Sequence, residues 1–202
     1  MSGTPLRLRV ERLRPREHPL LRRLYDAYLE ELTSFGASYR RRADGRWEYR
    51  PPGGDWGPDH LPYWLGKGPE HHVLLFRLGR EVIGFAMVGL RPARWMSPRT
   101  DACVSEFFVA PHARRRGVGE AAARRIFERF PGRWEILEVP GNAPAIAFWR
   151  RVVGRYTRGR FEELVAHGGP AQRFTSAPPR RDGARPPRAA RRARAAGPGG
   201  RR

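Results

Sequence analysis

Residues 104–130 narrow the fold more than any other part of the chain. An apolar strand, Val104-Ser105-Glu106-Phe107-Phe108-Val109, enters a basic, glycine-punctuated turn, Ala110-Pro111-His112-Ala113-Arg114-Arg115-Arg116-Gly117-Val118-Gly119, which opens into a helix. Val118, Ala121, Ala122, Ile126 and Phe130 give that helix one apolar face. The turn has the makings of a phosphate site. The first N–H groups of a helix lack intrahelical partners and sit at the positive end of its dipole. Gly117 and Gly119 let backbone approach an anion closely, and Arg114, Arg115 and Arg116 add positive charge. Taken alone, the stretch also fits an ordinary basic loop, because arginine and glycine are abundant throughout.

The flanking segments alternate in a way that fits an α/β fold with a partly parallel sheet. Leu6, Leu8 and Val10 have strand spacing, and Glu17–Phe35 carries Leu20, Leu21, Leu24, Tyr28, Leu29 and Leu32 at helical spacing. Arg40–Gly57 is polar and reads as a loop, and His60–Leu65 as a short helix presenting Tyr63 and Trp64. His72–Leu78 and Glu81–Leu90 read as strands joined by a hairpin at Gly79-Arg80. Strands over Cys103–Val109 and Trp134–Val139 bracket the Gly117–Phe130 helix. A helix over Ala143–Val153 follows, with a closing strand pair over Tyr156–Val165 and Ala171–Thr175.

Forty basic residues against 20 acidic ones give a formal charge of +20. That charge attracts polyanions, from nucleic acid to a phosphorylated cofactor. Since Lys67 is the only lysine, a bias toward arginine, alanine, glycine and proline across the whole chain explains it equally. From Ala177 to Arg202 no hydrophobic period remains, and a disordered tail is expected there. It carries nine arginines and one aspartate (net +8), leaving +12 on residues 1–176. Weak, non-specific polyanion binding is the activity such a tail would have. No apolar run approaches the roughly 20 residues of a membrane span, and Met1–Arg7 lacks the apolar core of a secretory signal. A cytoplasmic location is the corresponding expectation. Cys103, the single cysteine, reads as a small buried hydrophobe, and His71-His72 has no third metal ligand nearby in sequence.

Arg114-x-x-Gly117-x-Gly119, with Val109-x-Pro111 upstream, resembles the pyrophosphate-binding motif of the GNAT N-acetyltransferases. Leu137-Glu138-Val139 followed by Asn142-x-x-Ala145-x-x-Phe148-Trp149 is similar to that family's second conserved segment. The close resemblance spans Val104–Gly154. It implies the GNAT acyl-CoA N-acyltransferase fold over residues 1–176, a mixed central sheet flanked by helices, with two strands splayed apart. It also implies acetyl-CoA as co-substrate, no metal, and a small-molecule or peptide amine as acceptor. The pantetheine arm would pair near Phe107, Phe108 and Val109. Residues Arg114 to Glu120, including Val118, would take the pyrophosphate. Asn142 would bond near the pantetheine, with Phe148 and Trp149 walling the site.

Direct transfer to an amine needs a general base and an oxyanion donor. The resemblance places the donor near Phe108 or Val109 and leaves two candidates for the base, Glu106 and Glu138. A glutamate among apolar strand residues should have a raised pKa, which suits a base. Each could instead be a structural carboxylate paired with an arginine. Many family members carry a tyrosine where this chain has Trp149, and the indole N–H cannot release a proton in the working pH range. Tyr63 and Tyr156 are the tyrosines first considered as a substitute acid. A basic nucleic-acid-binding protein and a CoA-binding domain without catalysis are the competing readings.

Overall fold

The computed structural model describes residues 7–51, 53–66, 68–93, 96–166 and 168–176. The tail expected from Ala177 onward lies outside them. Among the described residues, ten strands and four α-helices follow in chain order: β1 (Leu8–Arg12), α1 (His18–Thr33), β2 (Tyr39–Arg41), β3 (Trp47–Tyr49), β4 (Gly57–Pro58), α2 (Leu61–Trp64), β5 (His71–Leu78), β6 (Glu81–Leu90), β7 (Ala102–Val109), α3 (Val118–Arg129), β8 (Gly132–Leu137), α4 (Ala143–Thr157), β9 (Glu162–Ala166) and β10 (Gly169–Ser176).

Seven strands form one sheet in the order β1-β5-β6-β7-β8-β10-β9. Every pairing in it is antiparallel except β7 with β8, which α3 connects as a crossover. The apolar run Val73–Phe76 shows why the sheet is covered on both faces. Val73 and Leu75 pack with Leu21, Tyr25 and Leu29 of α1, while Leu74 and Phe76 pack with Ile126 and Phe127 of α3 and Val152 of α4. Both layers are dry: Leu21, Leu29, Ile126 and Phe127 are fully buried. No helix among the described residues is long and apolar enough to cross a membrane.

Two segments depart from the expected layout. Arg40–Gly57 is not a loop. It holds β2, β3 and β4 as a separate three-stranded sheet, with Tyr39 opposite Tyr49. Its turn is Asp44-Gly45, where Gly45 takes φ +81°, and Glu48 receives both Arg40 (2.7 Å) and Arg42 (2.8 Å). Cross-strand ion pairs replace the apolar alternation by which strands are usually read; among the described residues of the segment Trp47 alone is buried, against the α1 layer. The second departure is α4, which continues past Gly154 to Thr157 and stops where Arg158 turns left-handed (φ +56°) ahead of Gly159. Tyr156 is therefore helical, and the closing pair starts only at Glu162.

Candidate active site

The parallel pairing of β7 and β8 spans only Ala102↔Trp134 to Val104↔Ile136, although β7 runs on to Val109. The split begins at a β-bulge. On β6, Met87 faces Glu106 and Val88 faces Val104, so Ser105 is the extra residue. A bulge bends and twists its strand, which carries the second half of β7 away from β8. Ala110 donates its N–H to Ile83 (2.8 Å). By alternation the Val109 N–H then faces away from β6, into the split.

Two clefts meet in the split and share Tyr28, Phe107, Asn142 and Trp149. The first, about 370 Å³, runs toward the turn that opens α3 and includes Phe108, Val109, Arg114, Arg115, Gly117, Gly119, Glu120 and Phe148. Gly117 caps α3 at φ +75°, a left-handed conformation that glycine adopts without strain. The N–H groups of Val118, Gly119 and Glu120 begin the helix without intrahelical partners. A Cβ on Gly119 would stand 3.2 Å from the Phe148 ring and 3.6 Å from Val109, so any side chain here must push that ring back by a few tenths of an ångström.

The basic residues of the turn divide. Arg114 does not offer a free charge: Nε bonds the Val109 carbonyl (2.7 Å), and the guanidinium grips both oxygens of Glu31 on α1 (2.9 and 2.5 Å). Arg115 lines the cleft, with φ +60°. Arg116 is exposed and is absent from the described lining of both clefts. Val118 packs against the α3 face of the core. The Glu120 carboxylate is held by Arg155 (3.0 Å), which leaves its backbone N–H as the group the turn can use. Asn142 is the N-cap of α4, its Oδ1 accepting from the Ala145 N–H (3.1 Å). Phe107, Phe148 and Trp149 form an aromatic wall, with ring centroids 4.9–5.7 Å apart.

The second cleft, about 620 Å³, opens toward the small sheet and takes in Glu106, Glu138, Tyr39, Tyr49 and His60. Glu106, on β7, and Glu138, just past the end of β8, both line it. Neither pairs with an arginine among the described residues. Glu135, which faces Cys103 across the β7–β8 pairing, is the buried glutamate that does, to Arg173 at 2.5 Å. Burial raises the Glu106 carboxyl to about 7, and a hydrogen bond donated by the Tyr28 hydroxyl pulls it partway back. Burial likewise raises Glu138 to about 7, with smaller opposing pulls from Gln172 and Arg150. Both Glu138 carboxyl oxygens are buried without a hydrogen-bond partner among the described residues.

Tyr28 was legible only as a core position of α1, yet it lies in both clefts. Burial and the Glu106 charge hold its phenol well above the ordinary value. The substitute acids expected from sequence lie elsewhere: Tyr63 packs on His71, and Tyr156 on Phe127 and Phe174. Cys103 is buried and its thiol is pushed up by that burial. No group of three or more His, Cys, Asp or Glu among the described residues could hold a metal.

A strand pair split beside an anion-receptive helix start is a place where an extended, phosphorylated ligand can lie. Residues 24–154 match the model of the Acetyltransferase (GNAT) family, and the chain belongs to that family. It is an acyltransferase, and the family uses acetyl-CoA. Solved structures share the fold. An acetyltransferase from Thermus thermophilus is 17% identical with TM-score 0.58, covering 85% of this chain and 99% of that one. An aminoglycoside acetyltransferase solved with coenzyme A and kanamycin is 14% identical with TM-score 0.53, covering 84% and 95%. An N-acetylglutamate synthase from Neisseria gonorrhoeae, solved with coenzyme A and N-acetyl-glutamate, is 10% identical with TM-score 0.52, covering 87% of this chain and 36% of that one. No curated protein matches the sequence.

Proposed function

We propose that residues 1–176 form a catalytic unit that transfers an acetyl group from acetyl-CoA directly to an amine, with Glu106 as general base. The observation that carries this reading is a buried carboxyl raised to about 7 at the mouth of a split strand pair. A base with a pKa near the working pH is half ionised and still basic enough to take a proton from an ammonium ion.

The first cleft suits acetyl-CoA on three counts. The left-handed Gly117 and the α3 amides can receive a pyrophosphate. Beyond Val104 the β7 backbone has lost its β8 partner and can pair with the pantetheine amides. Gly119 leaves a surface that any Cβ would fill. Bound there, acetyl-CoA supplies a thioester whose carbonyl carbon is open to attack. The Val109 N–H is the donor we assign to the carbonyl oxygen as it gains charge. Asn142 fixes the start of α4, which holds Phe148 and Trp149 against the cofactor side. Glu106 takes the ammonium proton in the second cleft, and Tyr28 orients the carboxylate that receives it.

The test follows release of free coenzyme A thiol from acetyl-CoA in the presence of amines, comparing the parent protein with Glu106→Gln. Glutamine keeps the shape and removes the basicity, and kcat should fall by about 10²–10⁴-fold. Undiminished turnover by the variant across pH would pass the role to Glu138.

A further inference from the structure

Although 40 of the 202 residues are lysine or arginine, none of the described residues lining the second cleft is either one. Two carboxyl groups and a cluster of rings stand among its lining, beside Ser38, Ser105, Asn142 and small or aliphatic residues. Tyr39 and Tyr49 face each other across the small sheet with centroids 5.0 Å apart, and the His60 ring stands 4.4 Å from Tyr49. Burial lowers the pKa of His60, so the imidazole is neutral near pH 7 and supplies no cation. A cleft this size lies within the range of about 300–1,000 Å³ typical of small-molecule sites.

Each feature removes a class of acceptor. A carboxylate carried into the cleft would find no described cationic partner there, and an unpaired buried charge is costly. That disfavours free amino acids. A polycation would need more than two acidic partners and must approach a chain with formal charge +20. The rings favour a flat apolar body, with one ammonium group near the carboxyls.

We propose that the acceptor is a small primary amine with one positive charge, an aromatic body and no acidic group, its nitrogen received between Glu106 and Glu138 and its ring among Tyr39, Tyr49 and His60. This rests on the acetyl-transfer reading above. The ammonium gives one proton to Glu106, and the freed nitrogen forms a bond to the acetyl carbon. The carbon–sulfur bond breaks, the nitrogen loses its second proton, and the products are the N-acetyl amine and coenzyme A thiol, with one proton gained by the sulfur. Glu138, whose buried oxygens have only the nearby Gln172 amide beside them and no hydrogen bond within normal distance among the described residues, is the second acceptor of the ammonium hydrogens.

The experiment compares 2-phenylethylamine, phenylalanine, spermidine and an unblocked alanine tripeptide on the full-length protein, reading thiol release, with acetyl-CoA binding measured by calorimetry on the same sample. The expected kcat/KM for 2-phenylethylamine exceeds that for phenylalanine, which adds only the carboxylate, by about 100-fold, and also exceeds the other two. Tyr49→Ala should raise KM for 2-phenylethylamine about tenfold while the acetyl-CoA Kd stays unchanged; Tyr49→Leu serves if the smaller residue does not fold. Preference for any of the other three amines, no acetylation of 2-phenylethylamine, or an unmoved KM in the Tyr49 variant overturns the acceptor class while acetyl-CoA binding persists. Loss of acetyl-CoA binding by the parent protein overturns the acetyl-transfer reading instead, and the acceptor class with it.

Discussion

The Tyr28 hydroxyl on α1 donates a hydrogen bond to the Glu106 carboxylate on β7, joining positions 78 residues apart inside the split sheet. This bond stabilises the ionised carboxylate against the burial that raises its pKa. Removing the donor in Tyr28→Phe should therefore raise the Glu106 pKa further. The acid limb of the kcat/KM profile, expected near 7 in the parent, should move to higher pH, with activity at high pH largely retained. A pH–rate series on both proteins checks this, and a limb that stays put or moves down contradicts the pairing.

Arg114 yields a second prediction, because its guanidinium is bound to Glu31, three residues from Tyr28 on the same helix. As an anchor, it ties the turn before α3 to the element carrying Tyr28. Glu31→Gln should then weaken the anchor and reduce kcat in the same direction as Arg114→Met, with little change in acetyl-CoA affinity. If Arg114 instead served as a pyrophosphate ligand, Glu31→Gln would free it and tighten acetyl-CoA binding, which calorimetry would detect.

Glu138 makes stability depend on pH. Its folded-state pKa is raised, so the folded protein holds a proton that the unfolded chain has lost. The stabilisation is complete below the ordinary glutamate value of about 4.3 and is lost as pH rises through about 7. Glu106 adds to the decline with the same sign. Thermal melts of the ligand-free protein should show Tm falling across that window, and Glu138→Gln should fall less. Equal slopes would mean that Glu138 is not protonated in the fold.

No limb of phenolic character should appear in kcat on the alkaline side. Trp149 occupies the aromatic wall, Tyr63 and Tyr156 pack elsewhere, and Tyr28 is held well above the ordinary phenol value of about 10. A thiolate is already a good leaving group near neutral pH. A drop centred near the ordinary phenol value in both the parent and Tyr28→Phe would point to another tyrosine.

Much of the sheet could be read from local signals. The Val73–Phe76 run, the Gly79-Arg80 hairpin and the strand–turn–helix of residues 104–130 all depend on neighbours in sequence, and all appear in the fold. The bulge at Ser105 had no such signal, since it is a mismatch of register between two strands. Tyr28 read as one more apolar position of α1 because its partner lies 78 residues away. Tyr39, Tyr49 and His60 sat in or beside a segment whose charged residues hid its strands. Arg114 matched a phosphate motif by spacing, and spacing alone does not reveal that Glu31 reaches it first.

Calorimetric titration of acetyl-CoA into the parent protein and Gly119→Val bears most directly on whether the split between β7 and β8 is the cofactor site. At Gly119 a Cβ already meets the Phe148 ring at 3.2 Å, so valine must displace that wall and project into the approach to the α3 amides. The parent should bind one acetyl-CoA per chain, and Gly119→Val should lose about tenfold or more in affinity, equivalent to about 1.4 kcal/mol, while its far-ultraviolet spectrum remains that of the parent. Failure of the parent to bind at millimolar acetyl-CoA, or equal affinity in a folded Gly119→Val protein, would contradict the assignment.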